Sequence, residues 1–297
     1  MFALMLTACH TTPPTPTARP QAQPIADNSL APAIAPELTP RQRIVAIAEH
    51  EWRSWGSQTV LMDANGRGCV SNSPLPPPPE YLAAQAATAS IRAGGATLLP
   101  EVSPCWQFAD GSGMESTPQG CALTLRYWRV LGREPECAQI ATARWAWSAA
   151  FISWVMRQAG LTNEQFLTGE AHNMYVADAR DELLPAAAFG IEPYPAVPAA
   201  GDMICSVRSA AAAITDVEQI VFGRTPMHCD IVITVNTQQH SLLAIGGNVQ
   251  QSVSLSVISW AAPSAPPEPD MSGSDDIGDA TASPVVPWLL VMRNHLQ

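Results

Sequence analysis

The hydrophobic pattern of this chain changes period partway along, and that change limits the folds open to it. Up to about residue 180 apolar residues recur at three- and four-residue spacing; beyond about residue 200 they alternate or form short β-branched runs. In 41–55, Ile44, Ile47, Ala48, Glu51, Trp52 and Trp55 share a helical face, with Thr39 or Pro40 as the start signal and Gly56 as the stop. Further helices are expected over 81–92, 121–131 and 147–159. Thr162 with Gln165 has the spacing of a capping box for the next helix, and His172 and Tyr175 sit one turn apart on another. Strands are expected over 203–207, 229–235, 242–245, 253–258 and 288–292. Helices first and strands after predicts an α+β fold, N-terminal helices packed on an antiparallel sheet.

The two ends of the pattern are Pro-rich. Residues 10–40 carry Pro, Thr and Ala without a hydrophobic period, which predicts a disordered tether. In a polyproline-like form it reaches on the order of 90 Å, at ~3.1 Å per residue. Residues 261–284, rich in Pro, Ser and Asp, read as an insertion loop within a single domain over 41–297. Ahead of the tether, residues 1–9 read MFALMLTAC, and Leu6-Thr7-Ala8-Cys9 resembles the bacterial lipoprotein box, whose cysteine is lipidated after signal cleavage. That resemblance implies lipidation at Cys9 and a membrane partner reached through the anchor. The implied address is the envelope, at the outer membrane facing the periplasm. Asp and Glu outnumber Lys and Arg by 26 to 15, a net charge of −11, which argues against nucleic acid and against electrostatic docking on anionic lipid.

Apart from Cys9 there are six cysteines: Cys69, Cys105, Cys121, Cys137, Cys205 and Cys229. In an exported chain an even number permits disulfides in any of fifteen pairings; for Cys205 and Cys229 a buried thiol is the competing reading. The chain contains no CxxC or HExxH. Neither a metal nor another cofactor is expected, and a site built from His172, His228 and Cys229 is the weakest alternative.

Four residues of types that can carry acyl-transfer chemistry lie at suggestive places. Ser148 starts a strongly apolar helix, where unpaired N–H groups and the helix dipole favour a nucleophile or an oxyanion; a serine there is also a common N-cap. His228 opens a strand, and Asp230, two residues on, points to the same face. Asn248 follows Gly246-Gly247, which is also ordinary turn chemistry.

The segment WSAAFISWVMRQAG is similar to the WCAAFVSW-type segment of NlpC-type and CHAP-type cell-wall peptidases and amidases, with Gly201-Asp202, His228 before CDIVITV, and GGNV at 246–249 in the corresponding later places. More closely, RIVAIAEHEW, YWRVLG, WSAAFISWVM, the His172/Tyr175 pair, GDMICSVR, HCDIVITV and GGNVQQSV resemble, in that order over about residues 41–258, the bacterial family with domain of unknown function 2272. These resemblances imply a papain-like fold. They imply Ser148 as nucleophile, His228 as base and Asn248 or Asp230 as the group orienting it, with Trp147, His172, Tyr175 and Arg208 around the substrate. Peptidoglycan stem peptide is the implied substrate and partner. The departure is Ser148, which stands where those enzymes carry cysteine. A hydroxyl depends wholly on its base, so two expectations stand: a serine hydrolase, or a binding or scaffolding module that has lost turnover.

Overall fold

The structure is a computed structural model that describes residues 38–63, 66–70, 102–103, 113–141, 145–208, 214–259 and 288–297. The lipoprotein box, the tether up to residue 37, the helix expected over 81–92 and the insertion loop lie outside those residues. The described residues belong to one compact unit.

Helix α1 (Pro40–Ser54) begins as its sequence predicts. Thr39 accepts from the Gln42 N–H while the Gln42 side chain accepts from the Thr39 N–H, and Pro40 takes the first helical position. Helix α2 (Pro118–Arg129), capped by Thr117, is tied to the short α3 (Cys137–Ala141) by the Cys121–Cys137 disulfide. Helix α4 (Ser148–Gln158) is buried on every side from Ser148 to Met156, which explains why its sequence is apolar around nearly the whole circumference. Helix α5 (His172–Arg180) follows. The helix suggested by Thr162 and Gln165 is a single turn. Gln165 does accept from the Thr162 N–H, but the chain beyond it is pulled away, because the Ser153 hydroxyl binds both the N–H and the carbonyl of Gly169.

Among the described residues nine strands form one sheet: β1 (Thr59–Asp63), β2 (Gly66–Val70), β3 (Val102–Ser103), β4 (Phe189–Pro193), β5 (Met203–Val207), β6 (Met227–Asn236), β7 (Ser241–Val249), β8 (Ser252–Ser259) and β9 (Leu290–Asn294). Their order is β3-β2-β1-β8-β7-β6-β5-β9-β4. The α+β class holds, but the sheet is mixed rather than antiparallel throughout. β1 runs parallel to β8, which the long intervening connection makes possible. β1 and β2 come from around the start of a Gly/Pro-rich stretch, and β4 from a segment without strand signals.

Alternation along the strands divides the apolar side chains between two cores. Met203, Cys205, Cys229, Ile231, Ile245, Leu290 and Met292 join the helices, with α4 at the centre. Ile204, Val232, Leu242, Ala244, Ile258 and Val291 gather with Trp288 in a second, smaller cluster. Gly201-Asp202 serves this frame. The buried Asp202 carboxylate accepts from Arg41, Arg293, the Asn294 N–H and the Ala199 N–H, joining α1, β9 and the approach to β5.

Candidate active site

Two helix N-termini meet at the site. Ser148 is the first residue of α4 and His172 the first of α5; their N-cap residues, Trp147 and Ala171, supply no side-chain cap. The N-cap reading of Ser148 therefore gives way, because its hydroxyl is engaged elsewhere: Oγ lies 2.7 Å from Nε2 of His172. On the far side of the ring, Nδ1 pairs with the Tyr175 hydroxyl, one helical turn on. All three side chains are buried, at 3%, 3% and 1% exposure for Ser148, His172 and Tyr175.

The His228 ring lies 5.0 Å from that of His172, centroid to centroid, edge to face. Its Nε2 is 2.8 Å from Asp230 Oδ1, as the two-residue spacing on β6 predicts, and its Nδ1 is 3.4 Å from Arg208 Nη2. A neutral ring protonated on Nε2 satisfies both neighbours, donating to the carboxylate and accepting from the guanidinium. His228 is half-buried and Arg208 exposed, so this side of the cluster faces solvent.

Burial sets the protonation of the inner pair. It holds the His172 pKa well below its ordinary value, with the charges of His228 and Arg208 acting in the same direction. The positive ends of two helices also favour a neutral ring. The Tyr175 pKa is pushed well up, by burial first and then by the Asp230 carboxylate, so it remains a phenol. At neutral pH the site thus holds a hydroxyl, an uncharged imidazole and a phenol in series.

The Gly-Gly of GGNV is there for close approach. A β-carbon on Gly246 would lie 1.7 Å from Asp230 Oδ1, and one on Gly247 would lie 2.6 Å from the Phe151 β-carbon of α4. Asn248 occupies the bulge between Gly246 and Val249 with φ +56°, and its amide makes no hydrogen bond to another described residue. Of the two residues expected to orient His228, Asp230 is the one bonded to its ring.

Several expected placements need correction. His172, expected near substrate, is the imidazole that meets the Ser148 hydroxyl; His228 stands next in line. Tyr175 lies behind His172 and is sealed from solvent. Trp147 is wholly buried and unavailable to substrate. It stacks on Trp55 at 4.9 Å and donates from Nε1 to Glu115 at 2.7 Å. Burial raises the Glu115 pKa, partly opposed by that hydrogen bond. Of the four residues expected around substrate, only Arg208 is exposed. Cys229 is bonded to Cys205, its direct partner across β5 and β6, which removes the thiolate from the metal reading. Among the described residues no group of three His, Cys, Asp or Glu side chains is placed to hold a metal ion. Also among them, no helix is long and apolar enough to cross a membrane.

Sequence reasoning overlooked Asn173, Glu115 and the close approach at Gly246. The signal for the Ser148–His172 pair was present in part, since the three-residue spacing of His172 and Tyr175 places both on one helical face.

Comparison with curated proteins and with solved structures found no match. Residues 124–291 match the model of a family described as an uncharacterised protein conserved in bacteria, DUF2272. That segment covers more than half of the chain and contains Ser148, His172, Tyr175, Arg208, His228, Asp230 and Asn248, and the chain belongs to this bacterial family.

Proposed function

We propose that this protein is a serine-dependent amide hydrolase of the bacterial cell envelope, built on a papain-like plan, with peptidoglycan stem peptides as its substrate class. The observation that carries the reading is the Ser148 hydroxyl at 2.7 Å from a neutral His172 Nε2 at the start of an uncapped helix. In the productive tautomer Nδ1–H donates to the Tyr175 oxygen and Nε2 accepts the Ser148 proton. Oγ then bonds to the amide carbon. The carbonyl oxygen takes up negative charge beside the free N–H groups of the first turn of α4. Collapse breaks the C–N bond, and the departing amine takes the proton from His172. Water, deprotonated by the same nitrogen, attacks the acyl ester and releases a carboxylate and Ser148. His228, backed by the buried Asp230, and Arg208 line the solvent side, where substrate arrives.

The address rests on separate support. The disulfides Cys121–Cys137 and Cys205–Cys229 suit an oxidising compartment, and Leu6-Thr7-Ala8-Cys9 supplies the motif for a lipid anchor at Cys9, facing the periplasm from the outer membrane. The test is a fluorophosphonate probe on the purified chain, with release of amine from purified muropeptides as second readout. Labelling and turnover that both vanish in Ser148→Ala support the enzyme.

The burial of Ser148 and His172 favours a second reading, a cell-wall binding or scaffolding module in which the pair is structural. Absence of labelling and turnover in the wild-type protein, with muropeptide binding retained, selects that reading.

A further inference from the structure

The geometry points to Asn173 as a positioning residue that sets the separation of the two histidines. This inference rests on the hydrolase reading for its consequence in catalysis, though its structural content stands apart from it. Asn173 follows His172 directly and is 4% exposed. Its amide nitrogen donates to the Thr225 carbonyl at 2.6 Å and its amide oxygen accepts from the Gly223 N–H at 2.5 Å. Both bonds reach a segment about fifty residues further along the chain.

That segment is the approach to β6. Residues 221–225 form a tight turn: Arg224 and Thr225 donate to the Val221 carbonyl, the Val221 N–H donates to the Thr225 hydroxyl at 2.8 Å, and Gly223 has φ +69°. Pro226 follows, its carbonyl accepting from the Arg208 N–H at 2.9 Å, and β6 begins at Met227. One amide, adjacent to His172, therefore holds the turn that ends three residues before His228. Its donor and acceptor are both used on backbone, so the two rings, 5.0 Å apart, are joined through a short rigid path. The far end of α5 holds the same approach independently, because Arg180 donates to the carbonyls of Val217 and Ile220. Loosening the segment from that end is a control for fold stability alone.

The experiment compares the full chain with Asn173→Ala, Asn173→Asp and Arg180→Ala. Three quantities are read: the magnetisation transfer between the His172 and His228 ring protons by NMR, the pH midpoint of the His172 ring, and the rate at which a fluorophosphonate labels Ser148. The groups facing His172 are Ser148 from α4, Tyr175 from its own helix, His228 and Asp230 from β6, and Arg208 from just past β5. In Asn173→Ala the ring contact weakens and the His172 midpoint moves up towards its ordinary value as water enters. Labelling slows by about 10- to 100-fold, the usual scale for a misplaced catalytic group. Asn173→Asp, which keeps the acceptor for Gly223 and loses the donor to Thr225, falls between and serves if the alanine variant does not fold. Arg180→Ala lowers the unfolding midpoint and leaves all three readouts as in the wild type. An Asn173 variant with unchanged ring contact and His172 midpoint overturns the assignment, as does an Arg180→Ala protein that reproduces the Asn173→Ala changes. A wild-type protein that resists labelling sinks the hydrolase reading, while the two NMR quantities still decide the role of Asn173.

Discussion

The Asp230 carboxylate occupies the space that a side chain at position 246 would fill: a β-carbon on Gly246 would fall 1.7 Å from Oδ1 and 2.9 Å from a Val249 methyl. Gly246 thus shapes the site by what it lacks. Its missing side chain lets the carboxylate lie against β7 while it holds His228 from the other side.

Gly246→Ala should therefore damage the site before it damages the fold. The overlap is with the end of a short side chain on β6, so Asp230 has to rotate away, and overpacking of this kind costs about 1–3 kcal/mol. Equilibrium denaturation measures that loss, and the His228 imidazole resonances report whether its carboxylate partner has gone. A Gly246→Ala protein that keeps wild-type His228 resonances contradicts this account of the glycine.

Burial of a neutral His172 makes part of the stability depend on pH, and the sign follows from its direction. The folded-state pKa lies well below the ordinary value of 6.5, so the unfolded chain binds the proton more readily than the folded one. The contribution is complete above about pH 6.5 and is lost as the pH falls towards the folded-state pKa. Urea midpoints of the wild type and His172→Gln, compared between about pH 4 and pH 8, should converge on acidification. A constant difference between the two proteins contradicts the assignment of a neutral buried ring.

Tyr175→Phe removes the partner of His172 Nδ1 and little else, because the ring remains packed against Phe166 at 5.1 Å. Leaving one buried nitrogen unpaired costs about 1–3 kcal/mol. The tautomer preference should go with it, and the rate of Ser148 labelling should fall while the pattern of labelled residues stays the same. Labelling at the wild-type rate shows that the phenol does not orient the base.

Much of this architecture was legible because it is local. The Thr39–Pro40 start of α1, the apolar circumference of α4 and the β-branched run of β6 each state their structure within a dozen residues. β1 and β2 were not legible, since Gly66 and Gly68 weaken the pattern and β1 is held by a parallel neighbour almost two hundred residues away. The site divides the same way. Ser148, His228 and Asp230 could be nominated from helix start and strand spacing, but which imidazole meets the hydroxyl depends on the return path from the end of α4 to its beginning. An 11-residue helix is about 16 Å long, and the chain retraces that length between Gly160 and Ala171. Arg157 guides it by donating to the carbonyls of Leu161, Thr162 and Phe166, and Ser153 pins Gly169. Only that folded-back path delivers His172 to Ser148, and no periodicity encodes it.

The two disulfides found among the described residues should separate under reduction, and their removal should have different consequences. Cys137 is exposed, whereas Cys205 and Cys229 are both fully buried; a mild reductant acting on the native protein should open Cys121–Cys137 first and leave the other intact. The bridged residues are 16 and 24 positions apart, so either bridge contributes roughly 3 kcal/mol on the chain-entropy account. Function distinguishes them. Cys205–Cys229 ties β5 to β6 one position along from the point where His228 faces Ser206, and it encloses the turn that Asn173 holds. Cys121–Cys137 joins α2 to α3. Paired alanine replacements at 205 and 229 should slow Ser148 labelling as well as lower the denaturation midpoint. The same replacements at 121 and 137 should lower the midpoint alone. Equal slowing in both proteins means that the bridges act only through global stability, and that the register of β5 on β6 has no special hold on the site.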